Sequence, residues 1–295
     1  MTQKSQYYSP LRYPGGKGKL FKFVKDLIIH NGLDGGSYSE PYAGGASIAL
    51  GLLIEDYVSE IHINDSDASI FSFWRAILRQ PDEFIKRVWD TPVTTDEWKK
   101  QKAIQAHKDS HDYLDIGFST FFLNRTNRSG ILKAGVIGGN DQLGNYKIDA
   151  RYNKEELVRR INTIANHSKS IKIYGQDALK FITQTIPRKE TKGLVFLDPP
   201  YYVQGKRLYT SFYDHRDHVK VAEAIKKSIL KYWIVTYDNA DQINEIYDLN
   251  NKIVYNLRYS VSHSSPIGSE VLFYSDHITL PHQNISKSHI ESEPK

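Results

Sequence analysis

A chain of 295 residues with 40% hydrophobic and 25% charged residues is an ordinary globular composition, long enough for one large domain with an insertion or two domains sharing a cleft. It contains no cysteine, which excludes disulfide frameworks, thiolate zinc sites and cysteine nucleophiles. The net charge is +5, no apolar run approaches the roughly 18 residues of a membrane span, and "MTQKSQYYSP" lacks the apolar core of a signal peptide, so a cytoplasmic location is expected.

The basic charge is concentrated. Residues 1–25 carry one Arg, five Lys and no acid; residues 121–160 carry eight basic against four acidic residues, and 203–232 seven against three. Three basic stretches of this kind assemble into one polyanion-binding face if the fold brings them together, and are solvated surface if it does not.

Along the chain, "LRYPGGKGKL" (11–20) invites a phosphate-loop reading, but the G-x-x-x-x-G-K-[ST] spacing is absent and Leu20 stands where the hydroxyl belongs. Gly15 and Gly16 instead let the backbone approach a ligand, with Tyr13 and Lys17 beside it. A helix is predicted over 20–30. In "SEPYAGGASIAL" (39–50), a short strand passes through small residues into an apolar helix, a turn that admits a cofactor to backbone amides. The strand "EIHIND" (60–65) ends in Asp65, about 20 residues on, where dinucleotide-binding folds place an acid on ribose hydroxyls. With no second phosphate-cradling loop, a nucleoside-type cofactor fits as well as a dinucleotide.

Helices are predicted over 69–80, 154–167 and 218–229, and strands over 170–177, 193–198 and 232–239, each strand ending in a polar or acidic residue. This alternation predicts an α/β fold with a mostly parallel sheet, with ligands at the carboxyl ends of its strands. Residues 81–152 break the alternation and read as an inserted helical domain with a Gly-rich loop or hairpin at 129–147. An antiparallel pair flanking "HSSPIG" closes the sheet, and 281–295 read as a disordered polar tail. "GLVFLDPPYY" (193–202) is a buried strand that stops at a carboxylate and two prolines. No metal-ligand spacing occurs among the 11 histidines, so no metal is expected.

The motifs "RYPGGK", "EPYAGGAS", "INDSD", "FFLNRTNRSG", "YGQDA" and "LDPPYY", in that order over roughly residues 9–275, resemble the Dam-like (D12 class, α-type) DNA adenine-N6 methyltransferases. The resemblance implies a Rossmann-like sheet that binds S-adenosyl-L-methionine, with catalysis on 1–80 and 153–280 and target recognition on 81–152. It implies that Tyr13, Lys17, Glu40, Tyr42, Gly44, Asp65, Asp177 and Asp198 hold the cofactor. Asp198, Pro199, Pro200 and Tyr201 would serve catalysis on an adenine flipped out of duplex DNA. Asn124, Arg125, Asn127, Arg128 and Lys133 would contact DNA, as side chains suited to base edges or phosphate.

Relatives that read GATC carry an aromatic-Asn-Gly-Leu-x-Arg run where this chain has Arg128-Ser129-Gly130-Ile131-Leu132-Lys133. The aromatic wedge and the arginine are both absent, so a target other than GATC is expected. A monomer is expected, and partnership with a restriction endonuclease is left open. Two other readings compete: a methyltransferase of RNA or single strands, and a non-catalytic DNA-binding protein on the same fold.

Overall fold

The computed structural model describes residues 7–12, 17–187, 192–203, 213–258 and 267–281, without the side chains of Lys17, Lys19, Leu257, Arg258 and Ile267. Two compact units result, one from residues 1–16 and 67–175 and the other from 17–66 and 176–295.

The second unit is the α/β part. After a 3-10 turn (Lys17–Leu20) and helix α1 (Phe21–His30) come β1 (Ser37–Glu40), α2 (Ser47–Ile54) and β2 (Glu60–Asn64). Further along the chain lie β4 (Gly193–Leu197), β5 (Tyr232–Asp238), β6 (Lys252–Arg258) and β7 (Ile267–Tyr274). These six strands run in the order β2-β1-β4-β5-β7-β6. β2, β1, β4 and β5 are mutually parallel, and β7 is antiparallel to both its neighbours. The predicted mixed sheet with an antiparallel terminal strand is therefore present.

Parallel strands covered on both faces read as continuous apolar runs. β4 accordingly buries Leu194, Val195, Phe196 and Leu197. α2 is buried from Ile48 to Leu53 and packs on α1. The helix predicted over 218–229 runs instead over His215–Lys226. Asp214 and Asp217 form a reciprocal capping box that starts it a turn early, a polar signal that apolar periodicity does not register.

The first unit is helical: α3 (Ala68–Arg79), α4 (Pro81–Asp90), α5 (Thr95–Ala106), α6 (Tyr113–Thr126) and α7 (Lys154–Asn166), followed by strand β3 (Ile171–Tyr174). Its core is aromatic, with Phe73, Phe84, Phe118, Phe121 and Tyr152 in edge or stacked contact. α3 packs along α6, where a Cβ on Gly117 would lie 2.6 Å from the Ser72 carbonyl, so only glycine permits the close crossing. α3 thus packs as part of the helical unit although it lies before residue 81.

The Gly-rich stretch 129–147 forms turns, with one isolated antiparallel bridge, Asn127 to Val136, in place of a ladder. Gln142 holds it: Nε2 donates to the carbonyls of Ile137 and Gly139 (2.7 Å each), and Oε1 accepts from the Ile148 N–H (2.8 Å). The predicted tail falls, beyond Pro281, outside the described residues. No helix among the described residues is long and apolar enough to cross a membrane.

Candidate functional site

Four neighbouring parallel strands each deliver a carboxylate to their carboxyl ends: Glu40 ends β1, Asp65 follows β2, Asp198 follows β4 and Asp238 ends β5. The strand order reverses between β1 and β4, and Glu40 and Asp198 flank that point. Open α/β sheets bind ligands in the crevice there.

The turn from β1 to α2 positions the first two acids. Gly44 and Ala46 both take left-handed backbone (φ 47° and 46°), which bends the chain sharply into the helix. The Gly44 N–H donates to Asp65 Oδ2 (2.9 Å), joining the turn to the end of β2. Ala46 has no side chain with which to cap α2, and Glu40 Oε1 accepts instead from the Ala49 N–H in the first turn (3.2 Å). Burial pushes the Glu40 carboxyl up to about 8; the bond from Ala49 opposes the shift and the Asp198 charge adds to it.

This shift has a stability consequence of definite sign. Between its ordinary value of 4.5 and about 8, Glu40 is ionised in the unfolded chain and protonated in the folded one, so its contribution to stability falls as pH rises through that window. Glu40→Gln is expected to gain melting temperature relative to the parent on going from pH 5 to pH 8.5. Parallel pH profiles for the two proteins would contradict this.

Asn64, fully buried, fastens two segments of the site. Its Nδ2 donates to the carbonyls of Pro41 (2.9 Å) and Gln176 (3.0 Å), and its Oδ1 accepts from the Gln176 N–H (2.9 Å). Asp177 follows and caps the helix that begins at Ala178, accepting from the Lys180 N–H (3.1 Å). The hydroxyls of Tyr42 and Tyr213 share a hydrogen bond of 3.1 Å. Tyr213 is pushed up to about 12, chiefly by burial, with the charges of Asp177, Asp217 and Asp65 adding to it and the bond with Tyr42 opposing. Glu40, Tyr42, Gly44, Asp65, Asp177 and Asp198 are therefore gathered in one unit. Tyr13 lies outside the described residues, as does the Lys17 side chain.

The Asp-Pro-Pro-Tyr segment is fixed from β5 and β7. Thr236 Oγ1 donates to Asp198 Oδ1 (2.9 Å). Pro199 is buried, Pro200 half-buried, and neither requires an acceptor for a backbone N–H. Tyr201 is buried and its hydroxyl donates to Glu270 Oε1 (2.5 Å), while Tyr255 donates to Glu270 Oε2 (2.7 Å). The N–H groups of Tyr202 and Val203 donate to the two oxygens of Asp238 (2.8 Å each). Sequence reasoning missed Thr236, Asp238 and Glu270 as supports. Asp238 carries the same signal as Asp198, an acid at the end of an apolar strand, and Glu270 is a lone acid in "EVLFY".

In the helical unit, the residues expected to contact DNA divide. Asn124 and Asn127 are buried. Asn124 Oδ1 accepts from the Arg12 N–H (2.7 Å), and its Nδ2 donates to the carbonyls of Arg12 (2.7 Å) and Gly130 (2.9 Å). Asn127 Nδ2 donates to the carbonyls of Ile131 and Leu132 (2.9 Å each), and Oδ1 accepts from Trp98 Nε1 (2.6 Å). Both amides thus hold the loop from within rather than face a ligand. Gly130 is required here: it has φ 75°, and a Cβ would meet the Arg12 carbonyl at 2.7 Å. Arg125 is half-buried and bonds to the Arg151 carbonyl, while Arg128 and Lys133 are exposed. The segment 204–212, in the third basic stretch, and the loop 259–266 lie outside the described residues.

Three comparisons bear on this chain. Among solved structures, it is similar to the rRNA methyltransferase aviRa from Streptomyces viridochromogenes, with 10% identity, a TM-score of 0.32, and 86% of this chain and 84% of that one covered. It is also similar to a modification subunit assigned to a type I restriction enzyme from Vibrio vulnificus YJ016, with 10% identity and a TM-score of 0.39, covering 99% of this chain and 51% of that one, about half its length. No curated protein matches the sequence significantly. The profile of the D12 class N6 adenine-specific DNA methyltransferases matches residues 13–261, most of the chain and all of the strand ends described above, and the chain therefore belongs to that family.

Proposed function

We propose that this chain transfers a methyl group from S-adenosyl-L-methionine to N6 of an adenine turned out of duplex DNA, at a sequence other than GATC. The observation that carries this reading is Asp198 at the reversal of strand order, held by Thr236 and followed by a tyrosine segment that Asp238 and Glu270 clamp.

The donor set fits the family's cofactor. Carboxyl groups at three neighbouring strand ends, Glu40, Asp65 and Asp198, complement a ligand bearing an ammonium, a sulfonium and ribose hydroxyls, with the ligand's positive charge favouring release of the Glu40 proton, and the left-handed turn at Gly44 and Ala46 admits it to backbone amides. Tyr42, Asp177, Tyr13 and Lys17 complete the binding set in this reading. When bound, the cofactor supplies an electrophilic methyl group that transfers directly.

The exocyclic nitrogen of adenine is a weak nucleophile because its lone pair is delocalised into the ring. Asp198 and the Pro199 carbonyl accept hydrogen bonds from its two N–H groups, which favours a tetrahedral nitrogen and stabilises the positive charge that develops there, and the methylated nitrogen then gives up one proton along these bonds. Pro199 and Pro200 keep these acceptors aimed without reorganisation. In this reading the ring of Tyr201, buried in the free chain and held by Glu270, lines the base pocket, and stacking on it is worth roughly 1–3 kcal/mol, which offsets part of the cost of unstacking.

Residues 81–152 carry target recognition in this reading, and 1–80 with 153–280 carry catalysis. Arg128 and Lys133 read bases or phosphates from the exposed side of the loop that Asn124 and Asn127 hold. The enzyme acts in the cytoplasm as a monomer on duplex DNA, alone or beside a restriction endonuclease. Methylation-sensitive sequencing of DNA from cells expressing the chain tests this: N6-methyladenine in one recurrent context other than GATC is expected, and methylation at GATC or at no fixed sequence would refute it.

A further inference from the structure

Four arginines of the helical unit meet at the carboxyl end of α6. The Arg12 backbone is bound by Asn124, and its Nη1 donates to the Asn127 carbonyl (3.2 Å). Arg125 Nε donates to the Arg151 carbonyl (2.7 Å), and the Arg151 guanidinium lies over the Tyr146 ring, 5.7 Å from its centroid. Arg160 Nη1 reaches the Ser9 carbonyl (2.9 Å) while its Nε is paired with Glu156 (2.8 Å). Carbonyls and a ring thus hold Arg12, Arg125 and Arg151, and among the described residues no carboxylate lies within ion-pair distance of them.

This arrangement is unfavourable by itself. Arg125 is pulled down to about 9, first by burial and then by the charges of Arg12 and Arg160, and Arg12 is lowered by burial and by Arg151. The dipole at the end of α6 answers about half a unit of charge, too little for three fixed cations. Arg12 and Arg125, each oriented through one N–H, and Arg151, set over the Tyr146 ring, lack a carboxylate, and their remaining N–H groups suit the bidentate geometry of a phosphate.

We propose that Arg12, Arg125 and Arg151 form a preorganised site for a backbone phosphate of the nucleic acid, an inference that rests on the DNA reading above. It anchors the duplex on the helical unit without reading its sequence.

The test is duplex affinity against salt for the parent, for Arg151→Gln and for Arg12→Gln combined with Arg151→Gln. The site predicts binding weaker by about five-fold or more, equally on unrelated sequences, with the slope of log K against log salt smaller by about one per lost contact. A neutral methylphosphonate at the contacted position should weaken the parent and leave the variant unaffected. Unchanged affinity and slope would overturn the site, and a loss confined to one sequence would overturn it in favour of a base contact. Protection of the parent against heat by inorganic phosphate as effective as by duplex would also overturn it, in favour of a small-anion site. Arg151 is exposed, so Arg151→Gln alone decides if the double variant does not fold. Failure of the parent itself to bind duplex would instead refute the DNA reading.

Discussion

Asp198→Ala is expected to lower methyl transfer at saturating cofactor and DNA by about 10³-fold, the scale seen when one preorganised electrostatic partner of a transition state is removed. Duplex affinity should stay within about three-fold, because phosphate contacts supply most of it. The loss falls in kcat because Asp198 interacts most strongly with charge that develops during transfer. Asp198→Asn keeps one acceptor and should retain part of the rate. Thr236→Val removes the hydroxyl that aims Asp198, leaves the carboxylate in place, and should cost about 10- to 100-fold, the value of one hydrogen bond to a charged acceptor. Single-turnover rates of the three variants check the order. Asp198→Ala at parental rate would remove Asp198 from the mechanism.

The second large effect is expected at Asp238, which touches no reacting atom in this account. Its two oxygens receive the amides of Tyr202 and Val203, which fixes the direction of the chain just past Tyr201. Each hydrogen bond to a charged acceptor is worth roughly 1.5–3 kcal/mol. Asp238→Ala leaves two amides without that acceptor, and a loss of about 2 kcal/mol from positioning alone corresponds to roughly a 30-fold fall in kcat. Cofactor affinity should hold, and Asp238→Asn, which keeps one oxygen, should recover part of the rate. Equal losses in kcat and in thermal stability, without rescue by asparagine, would mark Asp238 as a purely structural residue.

The sheet was legible in the sequence because short β-type runs, most clearly the apolar "GLVFL", alternate with helical patterns and each stops at a polar residue: Asp65 after "EIHIN", Asp198 after "GLVFL" and Asp238 in "YWIVTYD". Asp65 and Asp198 stood out because ligand chemistry falls at those ends, while Glu40 and Asp177 were singled out only by the family resemblance. The supports were harder to read. Asn64 and Thr236 act through bonds to residues far along the chain, and no local spacing announces such a partner. Asn124 and Asn127 show the opposite difficulty. Asparagine in a basic segment suggests a base contact, yet the folded chain uses both amides to satisfy carbonyls of its own loop, a choice decided by burial. Arg12 and Arg151 stand 139 positions apart in the numbering, and only the fold shows that their charges act on each other.

Incubation of the purified protein with unmethylated duplex DNA of mixed sequence and S-adenosyl-L-methionine labelled in its methyl group, followed by digestion to nucleosides, tests the central claim most directly. The account predicts that the label appears in N6-methyladenine and disappears with Asp198→Ala. Label in a methylated cytosine, or no label in the DNA at all, would contradict it.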